Sequence, residues 1–178
     1  MVREIVQNGH PALRTHAEEI PVNKIRSKEV QKLLEDMHDT LATQADGVAL
    51  AAPQIGIRKQ IFVVAPFVFE KSNIKKLVYI NPRIVSLGKE HSWKTEGCLS
   101  CRWQIGEVDR HEEVEIEAYD ENGKKFRIRA KGLLAHIFQH ETDHLNGILF
   151  LDKAKNVREL SEEEIEEIKN AGKENDNC

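Results

Sequence analysis

Two histidines, His140 and His144, stand four residues apart in the stretch QHETDHL (139–145), and Glu141 directly follows the first. On a helix the two imidazoles lie one turn apart on the same face and can reach one cation. Glu141 is rotated about 100° from His140, yet it precedes His144 by three residues, so it can lean toward a metal's open side without binding it. Two ligands plus a general base is the chemistry of H-E-x-x-H. The same spacing also occurs on solvated helices that bind nothing. Here the segment just upstream is apolar, with Leu133, Leu134, Ile137 and Phe138. A polar cluster that begins abruptly on a buried helix needs partners, and a metal supplies them.

Two histidines leave a metal under-coordinated. The stretch TEGCLSC (95–101) carries Cys98 and Cys101, and the third cysteine is Cys178. A Cys98 thiolate completes a Cys-His-His set with the fourth position open to water. A rival remains: Cys98, Cys101, His140 and His144 together would make a closed structural site in a protein with no catalytic role. A redox dithiol is weaker still, because C-x-x-C lacks a βαβ context here. Glu141 separates the readings, since a structural clip has no use for a carboxylate beside its ligands.

Composition sets the frame. The chain has 178 residues with 40% hydrophobic and 31% charged content, which suits one domain over 1–178 with a real core. A net charge of -4 argues against a nucleic-acid binder. No apolar run is long enough for a membrane span, and the opening MVREIVQNGHPALR has no apolar signal region. The few cysteines do not read as a disulfide framework, so the expected setting is reducing and cytoplasmic.

Three segments now fall into one pattern. GVALAAPQIG (47–56), EGCLS (96–100) and QHETDHL resemble, in order, the three signature segments of the peptide deformylase family, and the similarity runs from about residue 1 to about Lys153. The resemblance implies an α+β fold in which antiparallel or mixed sheets pack around a central metal-binding helix. It implies hydrolysis of the N-formyl group from the N-terminal methionine of newly made peptides, with release of formate. It implies Cys98, His140 and His144 as ligands of Fe2+, which Zn2+, Ni2+ or Co2+ can replace. Glu141 becomes the general acid/base, and Gln54 and the backbone N–H of Leu99 become oxyanion donors. Substrate contacts are expected from Gly47, Val48, Ala49, Leu50, Glu96, Gly97, Leu133, His136 and Ile137, with Glu96 also a buried support of the ligand loop. Partners are N-formylated peptides, including nascent chains at the ribosome, with no nucleic acid and no membrane.

Four positions depart from the family pattern. Ala49 replaces the second glycine of the first segment, Cys101-Arg102-Trp103 replaces an apolar residue and proline, Ile105 stands where arginine is common, and His136 replaces a small apolar residue. None is a ligand, Glu141 or Gln54, so the machinery is kept while the pocket changes. A deformylase-like hydrolase of a different acyl amide is the alternative this suggests.

The elements that must position these groups are legible in part. Residues 27–44 read as a helix capped by Ser27, with Val30, Leu34, Met37 and Leu41 at helical spacing. Residues 47–56 read as a loop or irregular edge, 59–66 and 77–87 as strands, the second disturbed by Pro82. Residues 113–130 read as a hairpin turning at Asn122-Gly123. Residues 131–145 form the metal helix, stopped by Asn146-Gly147, and 148–152 a short strand or extended piece. A third helix, 161–172, is capped by Ser161, so that 160–178 is a C-terminal helix and polar tail.

Overall fold

The computed structural model describes residues 1–69 and 76–175. Cys178 and the end of the polar tail lie outside the described residues. In chain order the elements are α1 (Lys28–Ala42), β1 (Ala49–Ala51), β2 (Ile61–Val64), β3 (Val78–Leu87), β4 (His91–Gly97), β5 (Gln104–His111), β6 (Glu113–Tyr119), β7 (Lys125–Lys131), α2 (Leu133–Leu145), β8 (Lys155–Glu159) and α3 (Glu162–Asn175). The class is α+β, as expected. One sheet runs β1-β2-β3-β6-β7 and the other β4-β5-β8, with every pairing antiparallel.

Strand alternation sends successive side chains to opposite faces, and both faces of the larger sheet are covered. Ala49, Ala51, Phe62, Val64 and Tyr79 pack with Ala135, Ile137 and Phe138 of α2. Leu50, Ile61, Val63, Val78 and Ile80 pack with Val30, Leu34, Met37 and Leu41 of α1. Helix α2, which carries His140 and His144, is therefore pinned by apolar burial, and Phe138 is fully buried against Phe62 and Tyr79. Removing such a ring costs about 3–5 kcal/mol.

Local chemistry explains most boundaries. The Ser27 hydroxyl accepts the Val30 N–H at 3.3 Å and starts α1. Pro82, which has no N–H, falls where the β3–β6 register slips between Ile80 and Arg83. At the far end of α2, Gly147 has φ +75, and a Cβ there would lie 2.9 Å from the Arg14 backbone, so glycine is required twice over.

Two expectations need correction. Residues 148–152 do not form a strand. Asp152 turns back to accept the Leu149 N–H at 2.9 Å, and Phe150–Asp152 closes as a 3-10 turn. Strands β4, β5 and β8 are missing from the sequence reading altogether. β4 exposes side chains on both faces and so carries no apolar alternation to detect.

Candidate metal centre

The donor atoms of Cys98, His140 and His144 lie within 4.8 Å of one another, and no other such trio converges among the described residues. Cys98 leaves the end of β4, while the histidines share one face of α2. Cys98 Sγ is 3.1 Å from His144 Nε2. Cys101 is buried beside this group but does not join it, which removes the closed four-ligand alternative. Its N–H instead donates to the Cys98 carbonyl at 3.0 Å in a tight turn.

The trio fits a divalent metal on chemical grounds. One sulfur and two imidazole nitrogens are a donor set for borderline-soft divalent ions. Glu141 Oε2 and His144 Nδ1 are buried without hydrogen-bond partners, an arrangement that requires an explanation. The neighbouring Cys101 thiol, then burial, push the Cys98 thiol well above its usual range. A cation reverses that preference by stabilising the thiolate directly. Burial, reinforced by the charges of His140 and Arg110, holds His144 well below the ordinary imidazole range and keeps its lone pair free to coordinate.

A row of charges orients His140. Its Nδ1 lies 3.0 Å from Glu96 Oε2. Glu96 accepts from Arg110 Nε at 2.8 Å and from Nη2 at 3.0 Å, a bidentate pair. Arg110 Nη1 donates to Asp143 at 2.6 Å, and Lys153 Nζ donates to both oxygens of Asp143 at 2.7 Å. Burial alone would raise the Glu96 carboxyl, but the bonds from His140 and Arg110 outweigh it and hold it at about 2. Gln139 fixes the helix itself. Its amide accepts the His111 N–H at 3.0 Å and donates to the His111 carbonyl at 2.9 Å, tying α2 to β5.

Glu141 is 3% exposed, and burial pushes its carboxyl up to about 7, against the opposing pull of His140. Gln54 is equally enclosed. Its Oε1 accepts the Ala51 N–H at 2.8 Å, so its NH2 group turns toward Cys98, with Nε2 3.5 Å from Sγ. One amide hydrogen is left for another acceptor. The Leu99 N–H meets no acceptor among the described residues, while its carbonyl is taken by Gln7 at 3.0 Å.

These groups open on a cavity of ≈ 380 Å³. Of the expected contacts, Val48, Ala49, Glu96, Gly97, Leu133, His136 and Ile137 line it, as do Gln54, Leu99, Cys98, His140 and Glu141. Two do not. Leu50 is fully buried in the core on the α1 side, because the strand alternation that turns Ala49 one way turns Leu50 the other. Gly47 does not line the cavity: a Cβ there would meet Leu41 at 2.8 Å and Gln44 at 2.9 Å, so its role is in the turn. The cavity wall also includes residues outside that expectation, among them Lys94, Thr95, Leu160 and Ile168. Arg110 and Asp143 were missed as well. The signal for Arg110 is its place in GEVDRH (106–111), where Val108 and Arg110 both turn inward from β5.

Comparisons with known proteins agree with this geometry. The sequence model of the family described as polypeptide deformylase matches residues 2–160. Peptide deformylase of Symbiobacterium thermophilum is 45% identical over 93% of this chain and 73% of its own. That of Pelotomaculum thermopropionicum is 43% identical over 89% of this chain and 96% of its own. Among solved structures, class I type b peptide deformylase from Acinetobacter baumannii bound to Met-Ala-Ser superposes with a TM-score of 0.78 at 32% identity, covering 86% of this chain and 98% of that one.

Proposed function

The chain belongs to the peptide deformylase family, and we propose that it hydrolyses the N-formyl amide of N-terminal formyl-methionine at the Cys98–His140–His144 centre, releasing formate. The observation that carries this reading is the convergence of three metal donors with one enclosed carboxylate, Glu141, at a cavity that also presents the Gln54 amide.

Family members are metal-dependent, and in this chain Cys98, His140 and His144 are the residues that would hold the ion. The proposed ion is Fe2+, with Zn2+, Ni2+ or Co2+ as functional substitutes, since thiolate and imidazole accept all of them. A bound cation supplies Lewis-acid polarisation of the formyl carbonyl and lowers the cost of generating a nucleophile from water near neutral pH. Glu141 takes the proton released by the attacking water and returns it to the departing amine. A carboxyl raised to about 7 is matched to that exchange in both directions. The free N–H of Gln54 and the backbone N–H of Leu99 donate to the oxygen as it becomes an oxyanion. Glu96 and Arg110 hold His140 in one tautomer and orientation.

The substrate is a peptide with a formylated N-terminus. The Acinetobacter baumannii relative has been solved with Met-Ala-Ser and with actinonin, which supports a peptide in the same cavity here. Among the described residues, no helix is long and apolar enough to cross a membrane. The proposed setting is the cytoplasm, on chains emerging from the ribosome, and the free thiols of Cys98 and Cys101 suit a reducing compartment. The test is formate release from a formyl-Met peptide by metal-loaded protein. Stoichiometric metal without any formate release would overturn the reading.

A further inference from the structure

The family match ends at residue 160, but the wall of the cavity does not. Leu160, between β8 and α3, and Ile168 of α3 line the same space as Cys98 and Glu141. Trp103 joins them, and its surroundings are unusually tied down. It sits at φ +37, a region ordinary side chains rarely adopt, and its carbonyl accepts the Leu160 N–H at 2.8 Å. Two cations stand over the indole: the Arg102 guanidinium at 4.8 Å from the ring centroid and Lys169 Nζ at 5.5 Å.

Arg102 is itself anchored, donating to Asp46 at 2.6 Å and to Gln44 at 2.7 Å. The other end of the assembly is fixed too. Ser161 and Glu164 cap α3 reciprocally, and Arg158 at the end of β8 pairs with Glu164 at 2.7 Å. The loop before β1, the turn before β5, the end of β8 and α3 are thus joined into one wall. Its inner surface is apolar: Trp103, Leu160 and Ile168.

A formylated peptide reacts at its first residue, and the rest of it must leave the metal centre through this cavity. At about 3.3 Å per extended residue, the second and third side chains stand roughly 7–10 Å beyond the reacting amide. A cavity of ≈ 380 Å³ is of the size that takes a drug-sized ligand rather than one side chain. We propose that Trp103, Leu160 and Ile168 are specificity-determining residues that contact the second and third residues of the peptide and favour large apolar side chains there. This rests on the deformylase reading above and assigns α3 a part in substrate selection.

The test compares formyl-Met-Leu-Phe with formyl-Met-Ala-Ser on metal-loaded wild type, Ile168→Ala and Trp103→Asn. Alanine keeps the helix, and asparagine tolerates the left-handed backbone of Trp103. Wild type should prefer formyl-Met-Leu-Phe by roughly tenfold in kcat/KM, the scale of discrimination by one apolar contact. Each variant should lose most of that preference through KM. A wild-type ratio near one, or equal losses on both substrates, would overturn the proposal and leave α3 a purely structural wall. Calorimetry with the product peptides Met-Leu-Phe and Met-Ala-Ser reads the same ratio without turnover. Absent formate release with a retained binding preference would therefore sink the reaction and spare the wall.

Discussion

Glu96 Oε2 lies 3.0 Å from His140 Nδ1 while the same carboxylate is gripped in two places by Arg110, so one of the three candidate metal donors is aimed by an ion pair outside the trio. Arg110 is 3% exposed and comes from β5, whereas Glu96 comes from β4 and Asp143 from α2. The smaller sheet and α2 are locked together beside the Cys98–His140–His144 trio.

Breaking that lock should cost both stability and metal. Removing one partner of a buried pair leaves an uncompensated charge, at about 3–5 kcal/mol. Arg110→Ala should lower the unfolding free energy by that amount in a urea titration. Its affinity for metal should fall about 10–100-fold, the usual effect of losing an orienting partner. Unchanged affinity in a folded variant would mean that the ligand face of α2 is set by packing alone.

The same carboxylate should give the protein an acid-labile component. Glu96 is held at about 2, below its ordinary 4.5, so its folded-state pKa is depressed. A depressed carboxyl contributes stability that is fully present above the unfolded value and is lost as pH falls toward the folded one. Stability should therefore decline between about pH 4.5 and 2. In Glu96→Gln the slope through that window should be shallower. Equal slopes in urea titrations at stepped pH would assign the acid loss to other carboxylates.

Glu141→Gln isolates the proton transfer. The amide is close in shape and removes only the titrating oxygen, so metal content should match wild type. Formate release should fall about 10²–10⁴-fold, the usual contribution of a positioned acid/base. Near-normal turnover in the metal-loaded variant would displace Glu141 from that role.

How far the sequence reached depends on where each signal resides. The helix of His140 and His144 is legible because its spacing and its apolar neighbours are local. Cys98 is legible as a candidate because thiols are few. Leu50 differs from its neighbour because the signature segment is split by strand alternation, which turns the Ala49 side chain to the cavity and the Leu50 side chain to the core. Arg110 escaped notice because a buried arginine differs from a surface one only by partners distant in sequence, here Glu96 and Asp143. Ile168 escaped for a related reason. On an acidic helix it reads as the apolar stripe of a solvated element, and its cavity contact exists only once α3 folds back over Trp103.

His136 and Ala49 bear on which first side chain the cavity accepts. His136 is 8% exposed, lines the cavity, and its Nε2 has no hydrogen-bond partner, with the Glu112 carboxylate 3.8 Å away. Burial lowers its pKa despite that carboxylate, so the ring is held neutral near pH 7. A neutral, unpaired imidazole is poorly matched to a thioether and carries a desolvation cost of about 1–3 kcal/mol. His136→Ile should therefore raise stability by up to that amount and raise kcat/KM on formyl-Met peptides. Ala49→Gly removes a methyl group from the cavity wall and should add to the gain by widening the space beside β1. The measurement is formate release across a panel of formylated first residues. If the double variant gains nothing on formyl-Met while wild type is already fast, the departures at both positions are neutral to selectivity. If it gains on formyl-Met but loses on a polar first residue, His136 is the group that reads that side chain.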